Sequence, residues 1–181
     1  MLTEEQAEQF YKVWIQLLDF VNRKYRLFKK LYGMSSPKGL SIESVAQIAE
    51  RLWEDITVID EFAESVNKSM SEEGIAIVSS WKRAVHGEFI VDRHLKKGSV
   101  LVSVENSEVY IVQGIYSDWR ELLNDGPVPQ IVKTTLIPFQ DVIIYDSLVM
   151  PLELFLGKNM ADESKQIYIS AKKNGRLHYS L

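Results

Sequence analysis

The sequence predicts an α+β protein with helices in its first half and mostly strands in its second. Up to about residue 84, apolar residues recur every three or four positions, the period of an amphipathic helix. From Val85 onward they recur at every second position, the period of a strand. The junction lacks the proline, glycine and serine of a flexible linker. We therefore expect a single domain, 1–181, with two lobes: a helical lobe, 1–84, packed on the mostly antiparallel sheet of a β-rich lobe, 85–181.

About four helices are expected in the helical lobe. The first should cover 3–32, with Gly33 at its end, and its buried face is a stripe formed by Phe10, Trp14, Leu17, Val21, Phe28 and Leu31. After a loop at SSPKGLS, Ser41 can cap a second helix. A third helix is expected within 56–67, and Ser71 predicts the start of a fourth.

The β-rich lobe is predicted to begin with a meander of three strands. Alternating apolar residues mark strands near 86–95, 100–104 and 109–115, and the turns KKG and ENSE connect them. The alternation places Phe89, Val91 and Leu95 together on the buried face of the first strand. Ser117 is then expected to cap a short helix, DWRELLND.

A second hairpin and a further helix are predicted in the last third of the chain. The runs QIVKTTLIPF and DVIIYDSLV have the composition of strands and flank a turn. Asp162 is expected to cap a helix through Lys173, with Gly175 just past its end, before a last strand in RLHYSL. The complete sheet should contain five or six strands, antiparallel or mixed.

Composition and charge exclude several classes of function. Residues up to 84 carry 11 basic and 13 acidic side chains and the rest carry 10 and 12, so each half has a net charge of −2. Neither half therefore has the positive charge of a nucleic-acid-binding domain, and no specific nucleic-acid ligand is expected. The sequence has no cysteine, which excludes disulfides, a thiolate nucleophile and cysteine-ligated zinc. We expect no cofactor and a cytoplasmic location.

No secretory signal or membrane span is expected. The first ten residues carry acidic side chains where a signal peptide has basic ones, and no apolar run follows them. The longest apolar stretch, VIIYDSLVMPLELFLG, contains Asp146, Pro151 and Glu153. A transmembrane helix needs about 20 mostly apolar residues, so this stretch does not qualify.

Four polar residues at even positions of the first strand resemble metal ligands: His86, Glu88, Asp92 and His94. On an extended strand His86 and His94 lie roughly 26 Å apart, so a single ion cannot bind all four, and no metal site is expected. Asp92 and His94 remain close enough to cooperate in binding or catalysis. The alternative interpretation is that all four residues lie on the solvated face of a half-buried strand.

Asp146 is a third candidate site residue. It lies within the apolar run IIYDSLV, where a carboxylate without a partner is costly to bury. Such a residue either takes part in chemistry or lies at a strand end and bonds backbone amides.

A cluster of positive charge falls near the end of the first helix, at Arg23, Lys24, Arg26, Lys29 and Lys30. Clusters of this kind occur on helices that bind nucleic acids or membrane surfaces. Cations are also stabilised at a helix C-terminus by the helix dipole, so a solvated helix end explains the same pattern.

Several segments resemble a family of uncharacterised bacterial proteins that occur alone or joined to a small SEC-C zinc-binding motif. The segments are LLDFVNRKY, LWEDITVIDEFAE, SSWKRAVHGEFIVDRHLKKGSVLVS, VYIVQGI and TTLIPFQDVIIYDSLV. Related sequences carry a glycine after the aspartate of IIYD, where this chain has Ser147. The SEC-C motif itself is absent because it needs cysteines. The resemblance implies a bacterial cytoplasmic protein and lends this chain no zinc ligand.

Two hypotheses of function follow. The first is a non-enzymatic protein-interaction module with an unknown protein partner, because the sequence carries no catalytic signature. The alternative is an enzyme or a small-ligand-binding domain that uses Asp92, His94 or Asp146 at a site between the lobes. Convergence of these three residues in one pocket would favour the alternative.

Overall fold

A computed structural model describes residues 1–35, 41–152 and 156–181. The chain divides into two compact units, one of residues 4–82 and the other of residues 83–181 together with 1–3. The first unit is helical and the second contains the sheet, so the predicted α+β class is confirmed. No helix in the described ranges is both long and apolar enough to cross a membrane.

The helical unit contains four α-helices in the described ranges: α1 (Glu4–Tyr25), α2 (Ile42–Glu54), α3 (Val58–Val66) and α4 (Glu72–Ser80). The predicted caps of α2 and α4 are confirmed. The Ser41 side chain accepts a hydrogen bond from the Ser44 amide, and the Ser71 side chain accepts one from the Gly74 amide. The loop predicted at SSPKGLS lies largely outside the described residues.

The predicted end of the first helix is wrong, because α1 ends at Tyr25 and only a short 3-10 turn, Lys29–Leu31, follows. Arg26 has a φ of 57°, and the Leu27 amide donates to the Asn22 carbonyl oxygen at 3.1 Å. This is the Schellman arrangement that stops a helix, here with arginine where glycine is usual. The buried Asn22 side chain reinforces the stop, since it bonds both the amide and the carbonyl oxygen of Phe28.

Aromatic side chains form much of the core of the helical unit. Trp14 is fully buried, and its ring lies 6.1 Å from that of Phe10, 6.0 Å from that of Trp53 and 5.6 Å from that of Trp81. Phe10 and Trp81 also meet edge to face. Large rings packed in this way bury much apolar area, so the core of this unit depends on a few residues.

The second unit contains six strands and two helices in the described ranges. They are β1 (Val85–Leu95), β2 (Gly98–Ser103), β3 (Val109–Val112), α5 (Trp119–Leu122), β4 (Gln130–Phe139), β5 (Val142–Pro151), α6 (Lys158–Lys173) and β6 (Leu177–His178). The meander and the second hairpin are confirmed. Two predicted helix starts are wrong: Asp118 rather than Ser117 caps α5, and α6 begins at Lys158 rather than near Asp162.

Five of these strands close into a barrel. β2 pairs antiparallel with β1 and β3, β4 pairs antiparallel with β1 and β5, and β5 meets β3 in parallel at Val112 and Ile143. The resulting order, β1-β2-β3-β5-β4-β1 with a short helix between β3 and β4, is the connectivity of the Greek-key barrel called the OB-fold. β6 pairs in parallel with the first residues of β3.

Helix α6 covers the outer face of β1, β2 and β3. Tyr168 and Ala171 of the helix pack in one buried apolar cluster with residues of the strands: Ile90, Val100, Val102, Val109, Ile111 and Ile131. The alternate residues of these strands, such as Val91, Leu101 and Val112, are also buried, because side chains alternate between the two faces of a strand. The three strands are therefore apolar on both faces.

A bulge in β5 places Ser147 in a left-handed conformation. Tyr145 pairs with Leu136 and Val149 pairs with Thr134, so three residues of β5 lie opposite one residue of β4. Ser147, in the middle of the three, has a φ of 71°, which side chains other than glycine adopt at a cost. A glycine at this position would adopt the conformation without that cost.

We expect Ser147→Gly to be more stable than Ser147→Ala by about 1 kcal/mol, because only glycine adopts the left-handed conformation without steric cost. Both variants remove the same hydroxyl group, so their difference isolates the backbone term. Chemical denaturation of the two variants measures it. Equal stability would show that the bulge relaxes without strain.

Candidate functional site

A second bulge, at Asp92 in β1, decides where the predicted site residues lie. Val91 pairs with Leu101 and Arg93 pairs with Val100, so Asp92 is an extra residue in the strand. An extra residue reverses the alternation of side chains beyond it. The predicted burial of Leu95 with Phe89 and Val91 is therefore wrong, since Leu95 is 41% exposed.

Asp92 does not lie on a solvated strand face, as one interpretation of the sequence had it. Its side chain is 3% exposed. The Ser164 hydroxyl of α6 donates to Asp92 Oδ1 at 2.9 Å, and Arg93 Nε donates to Oδ2 at 2.6 Å. The Arg93 guanidinium also lies 4.4 Å from the centre of the Tyr168 ring on α6. These contacts attach α6 to the barrel and occupy both carboxylate oxygens of Asp92.

His94 lines a cavity of about 430 Å³ at one end of the barrel. The turn between β1 and β2 forms one wall with Leu95, Lys96 and Gly98, and the segment before and within α5 forms another. His94 Nδ1 lies 2.8 Å from the hydroxyl of Ser99, a buried residue of β2. Burial lowers the pKa of His94.

Asp118, Trp119 and Arg120 form the opposite wall of the cavity. A tight turn brings them there, since a side chain at Gly114 would meet the Ser117 carbonyl oxygen at 1.9 Å. Asp118 Oδ1 accepts from the backbone amides of Arg120 at 2.8 Å and of Glu121 at 3.1 Å. These bonds, the one from Glu121 first, lower the pKa of Asp118.

Trp119 is 1% exposed, and its ring packs edge to face on Tyr145 at 5.3 Å. Its indole Nε1 is buried and donates to no acceptor in the part of the chain that the structure describes. A buried donor without an acceptor costs about 1–3 kcal/mol, and such groups in native proteins call for an explanation.

Asp146 lies elsewhere, in the β5 bulge beside Ser147. It is buried, and its Oδ1 accepts from the Leu148 amide at 3.2 Å. The bond from Leu148 agrees with the interpretation that Asp146 bonds backbone amides. Neither Asp146 nor Asp92 lines the cavity of His94, so the structure does not bring the three candidate residues into that cavity.

Metal and polyanion binding find little support in the described ranges. No group of three or more histidine and carboxylate side chains there is placed to hold a metal ion. In the basic cluster, Arg23 pairs with Asp19 at 2.8 Å and Lys24 pairs with Glu61. Part of that charge is thus neutralised within the helical unit.

Sequence reasoning identified His94 but missed the residues around it: Lys96, Asp118, Trp119 and Arg120. Trp119 follows the pattern of a core aromatic. Lys96 lies in a short turn and Arg120 in the short helix α5, and neither segment carries a motif. The combination of Gly114 with a capping aspartate could have indicated a tight turn, but only the closed barrel places that turn beside β1 and β2.

Comparison with known proteins gives no match to a family model, to a curated protein or to a solved structure. The resemblance to SEC-C-associated bacterial proteins therefore stays an expectation from the sequence.

Proposed function

We propose that this chain is a non-enzymatic protein-interaction module of the bacterial cytoplasm, which binds its partner at the His94 end of the barrel. The main support for the proposal is the cavity, which is lined by both polar and apolar side chains. Leu95 and Met1 are exposed large apolar residues that line it. Apolar side chains around a concave site are typical anchors for a partner protein.

The surroundings of the candidate acid–base residues support binding rather than chemistry. Both oxygens of Asp92 are held by Ser164 and Arg93, and Asp146 bonds the backbone of its own bulge. His94 bonds a serine hydroxyl, and no carboxylate among the described residues lies at hydrogen-bonding distance from its ring. A general acid–base pair would need two of these groups within reach of one substrate.

The position of α6 supports a protein partner over an oligonucleotide. Barrels with this connectivity bind oligonucleotides on the outer face of β2 and β3 and on the adjoining loops. Here that face is apolar and α6 covers it. The turn between β1 and β2 remains open at the cavity, so this end of the barrel is the part of the usual ligand surface that stays accessible.

Leu95→Asp is expected to abolish capture of the partner, because it places a charge on the apolar rim. The matched control is Ile169→Asp on α6, where the side chain is 44% exposed, close to the 41% of Leu95. Both substitutions are at the surface and should change stability by no more than about 0.5 kcal/mol. Immobilised wild type and both variants are incubated with host-cell extract, and retained proteins are identified by mass spectrometry.

The proposal predicts a protein that wild type and the Ile169 variant retain and the Leu95 variant loses, and that binds the purified wild type directly. Retention of the same proteins by all three would contradict it. So would turnover of a small molecule that His94→Asn abolishes without unfolding the chain, which would establish the enzyme alternative.

A further inference from the structure

The His94 cavity is lined by two cations that form no ion pair among the described residues. Lys96 and Arg120 both line it, and neither forms an ion pair in the described ranges. The nearby cation Arg93 differs, because it is paired with Asp92. Unpaired cations in a concave site attract an anion and hold it more strongly than they would on an open surface.

Among the described residues, Asp118 is the one acid that lines this cavity, and other hydrogen bonds fix its position. Its Oδ1 caps α5 by accepting from two backbone amides. Lys96 and Arg120 together outweigh the single negative charge of Asp118. The described lining is therefore net positive and attracts an anion.

The cavity also presents a neutral hydrogen-bonding group. His94 bonds Ser99 through its Nδ1, and its Nε2 has no hydrogen-bond partner among the described residues. A carboxylate has two oxygens and accepts several hydrogen bonds, and arginine often binds it through two parallel ones. The donors that line this site therefore match one carboxylate group.

We propose that the cavity binds a single carboxylate in an acidic segment of the partner protein, held by Arg120 and Lys96, with an apolar neighbour in that segment packed on Leu95. This inference rests on the proposed function and adds the chemistry of the partner. The apolar rim and the positive interior lie side by side, so a glutamate or aspartate next to a leucine fits both.

The first experiment uses acetate as the smallest probe of the site. The chain has four tryptophans, and Trp119→Phe identifies the indole resonance of Trp119 in a nitrogen-15 NMR spectrum. We expect acetate to shift this resonance and to leave those of Trp14, Trp53 and Trp81 unchanged. Inorganic phosphate should shift it less. No shift with acetate, or a larger shift with phosphate, would overturn the inference.

The second experiment compares two labelled peptides, Leu-Glu-Leu and Leu-Gln-Leu, each blocked at both ends. We expect the glutamate peptide to bind wild type roughly 10- to 100-fold more tightly, the usual range for a charge-assisted hydrogen bond. Arg120→Gln should remove this preference. Arg26→Gln, which removes a cation from the helical unit, should keep it. Equal affinities for wild type would contradict the proposal.

The dependence on pH gives a third readout. Burial and then the charge of Arg120 lower the pKa of His94, while Asp118 and Asp125 oppose that shift. A bound carboxylate favours protonated His94, so acetate should bind more tightly as the pH falls from about 7.5 to about 5.5, and His94→Asn should remove the trend. A flat profile in wild type would count against the placement of the anion beside His94.

Failure of this inference is distinguishable from failure of the proposed function. If Leu95→Asp loses the partner while Arg120→Gln retains it, the interface stands and the carboxylate assignment is wrong. If acetate binds but no partner depends on Leu95, the site is a small-anion site and the interaction module is wrong.

Discussion

Asp92→Ala is expected to lower the free energy of unfolding of the barrel unit by roughly 2–4 kcal/mol. The substitution leaves the fully buried Ser164 hydroxyl without its acceptor and removes the carboxylate that pairs with Arg93. It also loosens the attachment of α6, whose Tyr168 lies under the Arg93 guanidinium. Urea denaturation followed by circular dichroism measures the loss.

The matched control for this prediction is Glu88→Ala, which removes an exposed carboxylate from the same strand and should cost no more than about 0.5 kcal/mol. In the double variant Asp92→Ala with Ser164→Ala, the two costs should not add, because each substitution removes the same hydrogen bond. Additive costs, or a loss no larger than that of Glu88→Ala, would show that the contact between Asp92 and Ser164 does not hold α6.

Trp14→Ala is expected to have the largest effect on the helical unit, a loss of about 3–5 kcal/mol. Trp14 is fully buried and packs against three other aromatic rings, so its removal leaves a cavity that the neighbouring helices cannot fill. Trp53→Ala serves as the control, because Trp53 is only half-buried and should cost less. If both variants lost the same free energy of unfolding, the expectation that Trp14 contributes most to this core would be wrong.

Calorimetry of the Trp14 and Asp92 variants also tests the expectation of a single domain. Each substitution lies in a different unit of the chain. If 1–181 unfolds as one domain, both variants should shift one common transition. Two separate transitions, each moved by only one of the substitutions, would show two independently folding domains.

The two long helices show how far sequence patterns reach. Both α1 and α6 end in a Schellman arrangement: the Leu27 amide bonds Asn22, and the Arg176 amide bonds Ala171. In α6 the left-handed position is Gly175, and the end was predicted correctly. In α1 the same position is Arg26, and an arginine gives no sign in the sequence that a helix ends there. The side chain that reinforces it, Asn22, is buried and becomes recognisable only in the folded helix.

The candidate site shows the same limit more strongly. The alternation of apolar residues predicted β1 and β2 correctly, and His94 was among the candidates. The bulge at Asp92 could not be predicted, because it depends on pairing with a second strand rather than on the residues of β1. Ser164, which bonds Asp92, lies 72 positions away in α6. One wall of the cavity is the segment around α5, which reaches β1 and β2 only when the barrel closes.

The covering of the barrel by α6 also has a consequence for the chain during its synthesis. In the helical unit the ion pair between Lys24 and Glu61 joins residues 37 positions apart. In the barrel unit the hydrogen bond between Asp92 and Ser164 joins residues 72 positions apart. Contacts between distant residues form slowly, and a chain is made from its N-terminus at about 5–20 residues per second. Val100, Val102 and Ile111 therefore leave the ribosome seconds before the helix that buries them. During that interval the apolar face that α6 later covers stays exposed on the nascent chain. Chaperones bind exposed apolar surface, so we expect chaperone binding to be strongest before α6 is made.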